Sequence, residues 1–177
     1  VALLFHAPSR APFLIGIPAL VYVVDYFFGY VKRNNLIEAA YFERYGENGV
    51  ALHFENPTNW DKKPKTSYVY LMCPWISKYQ WHAFTIFPEP TKENHTMLCL
   101  ESSGDWTKEL HRKIKVPCLR PLYVLGPYKS PFSDAAVTTS NAIAVASGIG
   151  ITPTLSLALN YAGKKRINVV WVCRDPG

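Results

Sequence analysis

The stretch that decides the fold is NAIAVASGIGITPTLSLALNY, residues 141–161. It opens with an apolar run at 142–146, whose length and composition predict a buried strand. A Gly-Ile-Gly turn follows at 148–150. Thr152 and Pro153 then suit the N-cap and the first position of a helix. This order predicts a strand, a glycine turn and a helix whose N-terminus presents free amides to an anion.

A second apolar run, INVVWVC at 167–173, follows the basic turn at 163–166. Together with the first stretch it predicts one βαβ unit of roughly 30 residues. The glycines would let the backbone approach a pyrophosphate, although the third glycine of the common dinucleotide fingerprint is absent. An ordinary βαβ unit with a tight turn also fits. A two-stranded parallel sheet needs cover on both faces, so we expect the chain to be a fragment with a truncated C-terminal domain.

Composition narrows the classes of protein. The 177 residues can hold one full domain and part of another. The net charge of +6 is scattered, and its densest region, 108–120, indicates a solvated face or a surface near anionic lipid, so we expect no nucleic-acid partner. The four cysteines form no C-x-x-C pair, which argues against zinc and against a disulfide framework and is typical of a reducing compartment.

The N-terminal region is apolar. Residues 11–24 carry no charge, Asp25 interrupts, 26–31 continue the apolar run, and the Lys-Arg pair at 32–33 ends it. This pattern predicts the end of a transmembrane helix that emerges on the cytoplasmic side. A buried amphipathic helix is the alternative.

The middle of the chain predicts a small antiparallel barrel. Segments 36–45 and 50–55 flank a glycine-bearing turn at 46–49, as in a β-hairpin. Further strands are predicted at 67–73, 82–87, 96–102 and 123–125. One helix is predicted at 105–115, with an apolar face made of Trp106, Leu110 and Ile114. The segment 131–139 joins this barrel to the βαβ unit.

A barrel followed by such a βαβ unit resembles the flavin reductases, and five motifs make the resemblance specific. Residues 74–85 resemble the P-x-I-S-x-x-E-W-H-P-F-T segment of the NADPH oxidase and ferric reductase family. Residues 104–107 are similar to its G-D-W-T, 126–128 to the start of its G-P-[YF]-G, 148–153 to its G-I-G-[VI]-T-P, and 171–175 to its W-x-C-R-D. The second and fifth motifs favour the superoxide-producing NADPH oxidases.

The resemblance implies the organisation of the chain. It implies the end of a transmembrane region at 1–33, a ferredoxin-reductase-like FAD-binding antiparallel barrel at 34–130, and the start of a parallel-sheet NADPH-binding domain at 131–177. It also implies residue roles. His82, Phe84 and Thr85 would line the flavin, and Trp106 and Thr107 would help hold the FAD pyrophosphate. Taken without the resemblance, such an aromatic cluster is more often part of a barrel core than of a flavin site.

The resemblance further implies an NADPH site. The turn for the NADPH pyrophosphate and ribose would contain Gly148, Gly150, Thr152 and Pro153. Cys173 would lie toward the nicotinamide, and Arg174 would pair with the 2′-phosphate, a role that suits a guanidinium. A small buried hydrophobe and a surface charge are the alternatives for these two residues. No catalytic side chain and no metal ligand is expected.

Three positions depart from the family pattern. Ala83 replaces the proline of H-P-F-T, and Lys129 replaces the last glycine of G-P-Y-G. Glu101 stands where the family places an arginine that neutralises FAD phosphate, although Arg120 or Lys108 could compensate. These departures favour a non-catalytic regulatory or scaffold homologue as one alternative.

The function implied by the resemblance is the dehydrogenase portion of a membrane NADPH oxidase that faces the cytoplasm. Electrons would pass from NADPH to FAD and on through haem, held in membrane helices absent here, to oxygen. A ferric-chelate reductase, with ferric iron as the acceptor, is the other enzymatic alternative.

Overall fold

The computed structural model describes the backbone of residues 11–60 and 64–173. The chain divides into two units, Val1–Asn34 and Asn35–Gly177. The described part of the first unit is helix α1, Ala11–Arg33, which has Lys32 and Arg33 in its last turn. Its stretch Leu14–Arg33 has a mean hydropathy of 1.7. By length and composition this helix could cross a membrane.

The second unit begins with a closed antiparallel barrel of six strands, in the order β1-β2-β5-β4-β3-β6. The strands are β1 Asn34–Tyr45, β2 Gly49–Glu55, β3 Ser67–Met72, β4 His82–Pro88, β5 His95–Glu101 and β6 Cys118–Lys129. The predicted antiparallel barrel is therefore confirmed. Closure gives each barrel strand a neighbour on both sides, although β4 and β5 pair only at Phe87–Met97 and Pro88–Thr96.

Side chains fill the barrel because the strands alternate. In β2, Val50, Leu52 and Phe54 are at most 2% exposed, whereas Glu55 on the other face is exposed. Helix α2, Asp105–Lys113, joins the same core. The side chains on its predicted apolar face, Trp106, Leu110 and Ile114, are 6%, 0% and 1% exposed.

The βαβ unit follows the barrel. It consists of β7 Asn141–Ser147, a 3-10 turn at Gly148–Gly150, a helix at Ile151–Asn160 and β8 Arg166–Val172. The two strands pair in parallel, from Asn141 opposite Arg166 to Ser147 opposite Val172. We label the helix α4, since a short helix α3, Phe132–Thr138, precedes it.

Two sequence-based details of this unit are wrong. Strand β7 is not buried: Ile143 is 72% and Val145 is 71% exposed, because within the described residues a helix packs on only one face of the sheet. Thr152 is not the N-cap. The 3-10 turn runs directly into α4, so Gly150 holds the cap position with helical dihedrals. Thr152 lies in the first turn, and Pro153 is the third residue of the helix instead of the predicted first. The Thr152 hydroxyl donates to the Ile149 carbonyl at 3.2 Å.

The sequence also missed elements. Helix α3 lies in the segment predicted as a connection, and a 3-10 turn at Thr58–Trp60 lies in a segment without predicted structure. Strand β6 extends well beyond the predicted three residues and continues through the cis Gly126–Pro127 bond.

Buried hydrogen bonds hold two helices, α4 of the βαβ unit and the preceding α3, against the barrel and the segment before β3. Ser156 of α4 is fully buried, and its hydroxyl donates to the Ile86 carbonyl of β4 at 2.7 Å. Ser133 of α3 donates to the Thr66 carbonyl at 2.7 Å. Because a hydroxyl buried without a partner is costly, these bonds favour one defined seating of the helices on the barrel.

Candidate functional site

An aromatic cluster lies where β4 meets the start of α2. The rings of His82 and Trp106 have centroids 4.5 Å apart, and those of Phe84 and Trp106 lie 6.0 Å apart at an interplanar angle of 30°. The structure therefore brings together three of the residues that the sequence assigned to FAD. Phe84 also packs against the barrel core, so the cluster serves both as core and as one wall of the candidate site.

Two nitrogen atoms of this cluster lack partners. His82 Nε2 and Trp106 Nε1 are buried and accept or donate no hydrogen bond within the described part of the chain. Burial also lowers the pKa of His82, which favours the neutral form of its ring. Buried polar atoms normally have a partner, so a ligand with hydrogen-bonding groups on a flat ring fits this cluster.

Thr85 lies apart from these rings. Successive side chains of a strand point to opposite faces, so Thr85 and Ala83 are on the face of β4 away from His82 and Phe84. Ala83 is exposed and Thr85 is half-buried. A single flat surface of a ligand therefore cannot contact both Phe84 and Thr85 from one face of β4.

Thr107 caps the helix that carries Trp106. Its Oγ1 accepts from the Gly104 amide at 3.0 Å and from the Ser103 amide at 3.1 Å, and it donates to the Gly104 carbonyl at 3.0 Å. The hydroxyl is thus fully used in closing the first turn. Only backbone amides of this turn remain for a phosphate.

The glycine turn is open to solvent. Gly148 has a φ of +51°, a conformation that other residues rarely adopt. A Cβ added at Gly148 or at Gly150 would meet no atom within 4 Å. Thr152 and Pro153 continue the first turn of α4 directly behind it. An extended anionic ligand could therefore approach this backbone closely.

The two remaining predicted site residues, Cys173 and Arg174, follow the end of β8 in the sequence. Cys173 follows the strand and is exposed, and Arg174 lies outside the described residues. The neighbouring Trp171 donates from Nε1 to the Gly148 carbonyl at 3.1 Å. This bond ties β8 to the glycine turn.

A cavity of about 290 Å³ opens beside the glycine turn. The polar and aromatic side chains in its lining belong to Tyr45, Asn48, Cys99, Glu101, Thr152 and Trp171. Sequence reasoning missed the first three and gave Trp171 no role. The glycine-bearing turn at 46–49 joins two barrel strands, and it was the one sequence feature that pointed to the position of Tyr45 and Asn48 at an end of the barrel. Neither Phe84 nor Thr85 lines this cavity.

Two of the three departures from the family pattern, Glu101 and Lys129, lie at the ends of barrel strands. Glu101 is exposed at the end of β5, and Arg120 does not share its cavity but lies over the Trp75 ring, 5.6 Å from the centroid. Lys129 remains in β6 and forms an ion pair with Asp134 of α3. The chain therefore continues as a strand at the position of the family's last glycine.

Comparison with known proteins agrees with this fold and these motifs. A family model described as an FAD-binding domain matches residues 34–153. Probable respiratory burst oxidase homolog protein I of Arabidopsis thaliana is 28% identical over 81% of this chain and 17% of its own length. Ferric reduction oxidase 8, mitochondrial, of the same plant is 34% identical over 58% of this chain and 15% of its own length. NADPH oxidase 4 of Homo sapiens is 25% identical over 89% of this chain and 30% of its own length.

The chain thus spans less than a third of the length of these relatives. Among solved structures, a ferredoxin NADP+ reductase from Neisseria gonorrhoeae with bound FAD and NADP superposes with a TM-score of 0.61. It is 10% identical, and the match covers 81% of this chain and 59% of that one, so it shows the fold alone. The family match covers more than half of the chain and has the motifs in order. The chain therefore belongs to the FAD-binding domain family of the NADPH oxidases and ferric reductases.

Proposed function

We propose that this chain is the dehydrogenase portion of a membrane NADPH oxidase, facing the cytoplasm. Electrons would enter from NADPH, pass through FAD, and leave through haem in membrane helices outside this chain to oxygen, forming superoxide. The observation that carries the proposal is the seating of α4, which follows the glycine turn, on β4, which bears the aromatic cluster. As a result, the aromatic cluster proposed to bind the flavin and the glycine turn proposed to bind NADPH belong to elements that contact each other.

FAD, when bound, accepts a hydride and releases electrons singly, which couples a two-electron donor to a one-electron acceptor. The chain's own residues bind and orient. His82, Phe84 and Trp106 provide flat rings and two hydrogen-bonding nitrogens for the flavin. Thr85 offers a hydroxyl from the other face of β4. The amides at the start of α2, after Gly104, are available to the FAD pyrophosphate.

The βαβ unit would hold NADPH. The open backbone of the glycine turn suits the pyrophosphate, and Cys173 stands at the end of β8, where we place the nicotinamide. We assign Arg174 to the 2′-phosphate. No side chain has to act as a general acid or base, because positioning and electrostatics supply what hydride transfer needs. We place the domain boundaries at 1–33, 34–130 and 131–177.

Reconstitution with FAD tests the proposal. The purified full chain, in lipid nanodiscs, should bind FAD and show a flavin spectrum that NADPH bleaches without oxygen. Phe84→Leu should weaken FAD binding, whereas Phe132→Leu, at a half-exposed ring on α3, should not. Protein that stays colourless with added FAD would contradict the proposal and support a scaffold homologue.

A nucleotide preference tests the second cofactor. Arg174→Ala should weaken NADPH far more than NADH, because only NADPH carries the 2′-phosphate. Equal losses would contradict the role assigned to Arg174.

A ferric-chelate reductase is the second candidate, favoured by the 34% identity with ferric reduction oxidase 8. It would use the same path from NADPH to FAD with ferric iron as the acceptor. Superoxide formation and ferric reduction by a longer protein that contains this chain and its haem helices would separate the two.

A further inference from the structure

The cavity beside the glycine turn has a distinct charge. It lies between the β1–β2 turn, the end of β5 and the first turn of α4. Glu101 is the one charged side chain among the described residues that line it. The rest of the lining is mainly apolar and includes Ile149, Ile151 and Leu155. A ligand here meets a carboxylate in an apolar setting without a compensating cation.

The Glu101 carboxylate is available to a ligand. It has no side-chain hydrogen bond or ion pair with any residue that the structure describes. Its partner in the neighbouring strand is Gly49, which places no side chain beside it. A Cβ at Gly49 would come within 2.4 Å of the Tyr45 carbonyl oxygen and 2.9 Å of its ring. Glycine at position 49 therefore allows Tyr45 its observed position and leaves the space beside Glu101 open.

Two aromatic side chains in the lining complete the cavity. Tyr45 is 64% and Trp171 is 51% exposed, so both rings offer surface to a ligand. The Trp171 ring is oriented by its hydrogen bond to the Gly148 carbonyl. Asn48 adds an amide that can donate and accept. Aromatic faces of this kind stack on bases of any sequence.

We propose that this cavity binds the nucleoside end of a dinucleotide, with Glu101 accepting hydrogen bonds from the two hydroxyls of a ribose diol. An ionised carboxylate has only acceptors and suits two neighbouring hydroxyls, as in other dinucleotide sites. The same carboxylate repels phosphate, so the phosphates lie outside, toward the glycine turn. A cavity of about 290 Å³ is at the small end for ligand sites and is too small for a whole dinucleotide.

This inference rests on the proposed function and refines it. The nucleoside could be the nicotinamide riboside end of NADPH or the adenosine end of FAD, since both carry a free ribose diol. The adenosine of NADPH is excluded because its 2′-hydroxyl is phosphorylated. In either case Glu101 selects for a ligand with a ribose diol. It would bind hydroxyls at the position where the family's arginine binds phosphate.

Calorimetry on the full chain in nanodiscs tests the inference, with adenosine, nicotinamide riboside, 2′,3′-dideoxyadenosine and AMP as probes. At least one of the two diol nucleosides should bind, and the tighter one identifies the cofactor end. If that is adenosine, it should bind at least about tenfold more tightly than the dideoxy compound. Glu101→Gln should weaken the tighter nucleoside, and Glu101→Arg should raise the affinity for AMP relative to that for adenosine, because a cation replaces the carboxylate.

Glu47→Gln is the matched control, because Glu47 is exposed in the same turn but does not line the cavity. It should leave every affinity unchanged. The inference is overturned if neither nucleoside binds, or if Glu101→Gln and Glu47→Gln have equal effects. FAD and NADPH titrations on the same protein separate the two proposals. Retained cofactor binding with no effect of Glu101→Gln on nucleosides would remove this inference and leave the proposed function intact.

Discussion

Two alanine substitutions in the glycine turn separate backbone strain from ligand approach. Gly148 has a φ of +51°, whereas Gly150 has a φ of −59° in the helical region. A Cβ added at either residue meets no atom within 4 Å. Gly148→Ala and Gly150→Ala therefore add the same methyl group to open space and differ in the backbone conformation that must carry it.

The expected stability changes have opposite signs. Alanine in a left-handed conformation costs about 1–2 kcal/mol, so Gly148→Ala should lower the free energy of unfolding by that amount. Alanine in place of a helical glycine restricts the unfolded chain, so Gly150→Ala should raise it by about 0.4–1 kcal/mol. For a chain of this size, each kcal/mol moves Tm by roughly 2–4 °C. The two variants should thus melt several degrees apart.

Thermal unfolding followed by circular dichroism measures the difference, and NADPH titration of the same samples measures binding. Gly150→Ala should weaken NADPH binding although its stability does not fall, because its methyl group occupies the space that the pyrophosphate needs. Equal Tm values for the two variants would refute the role of the positive φ. Unchanged NADPH affinity in Gly150→Ala would refute the close approach of the cofactor.

Three further outcomes follow from burial. Leu110→Ala, at a fully buried core position, should lower the free energy of unfolding by about 2–5 kcal/mol, whereas the exposed Leu119→Ala should change it by less than about 0.5 kcal/mol in urea denaturation. Burial raises the pKa of the Cys73 thiol to about 12, so iodoacetamide should modify the exposed Cys173 and spare Cys73 in native protein, as read by mass spectrometry; equal modification would contradict this. Burial lowers the pKa of His82 below its usual 6.5, so the unfolded chain takes up a proton more readily. Stability should therefore fall as the pH drops below that value, and His82→Gln should flatten the loss in Tm measured against pH.

The barrel was predictable because each strand shows its own pattern. In β2, Val50, Leu52 and Phe54 alternate with the smaller or polar residues Ala51, His53 and Glu55, and the glycine-bearing turn before them marks a hairpin. The apolar face of α2 was equally readable from helical spacing. Such local patterns survive folding because burial of one face is what stabilises each element.

The βαβ unit was predictable in order but not in burial. An apolar run does not reveal how many of its faces a neighbour covers, so the exposure of Ile143 and Val145 was missed. The cap at Thr152 failed for a related reason. Thr152 could cap the helix only if the helix began after it. The 3-10 turn at Gly148–Gly150 is continuous with α4, so the helical backbone begins before Thr152.

The candidate site was only partly predictable. His82, Phe84 and Trp106 were singled out by their motifs and do meet in space, whereas their roles toward a flavin stay predictions. The cavity at Glu101 was not visible, because its walls come from the β1–β2 turn, β5 and α4, which are far apart in sequence.

The amino-acid sequence by itself determined the element types, the barrel and the family, since these depend on periodicity and on short motifs whose residues are neighbours in the chain. Tertiary structure alone decided which faces are covered, that the rings of His82 and Trp106 meet, and that Glu101 shares a cavity with Trp171. The physical reason is that those properties depend on contacts between distant segments, and no local pattern in the chain encodes the partner of a surface.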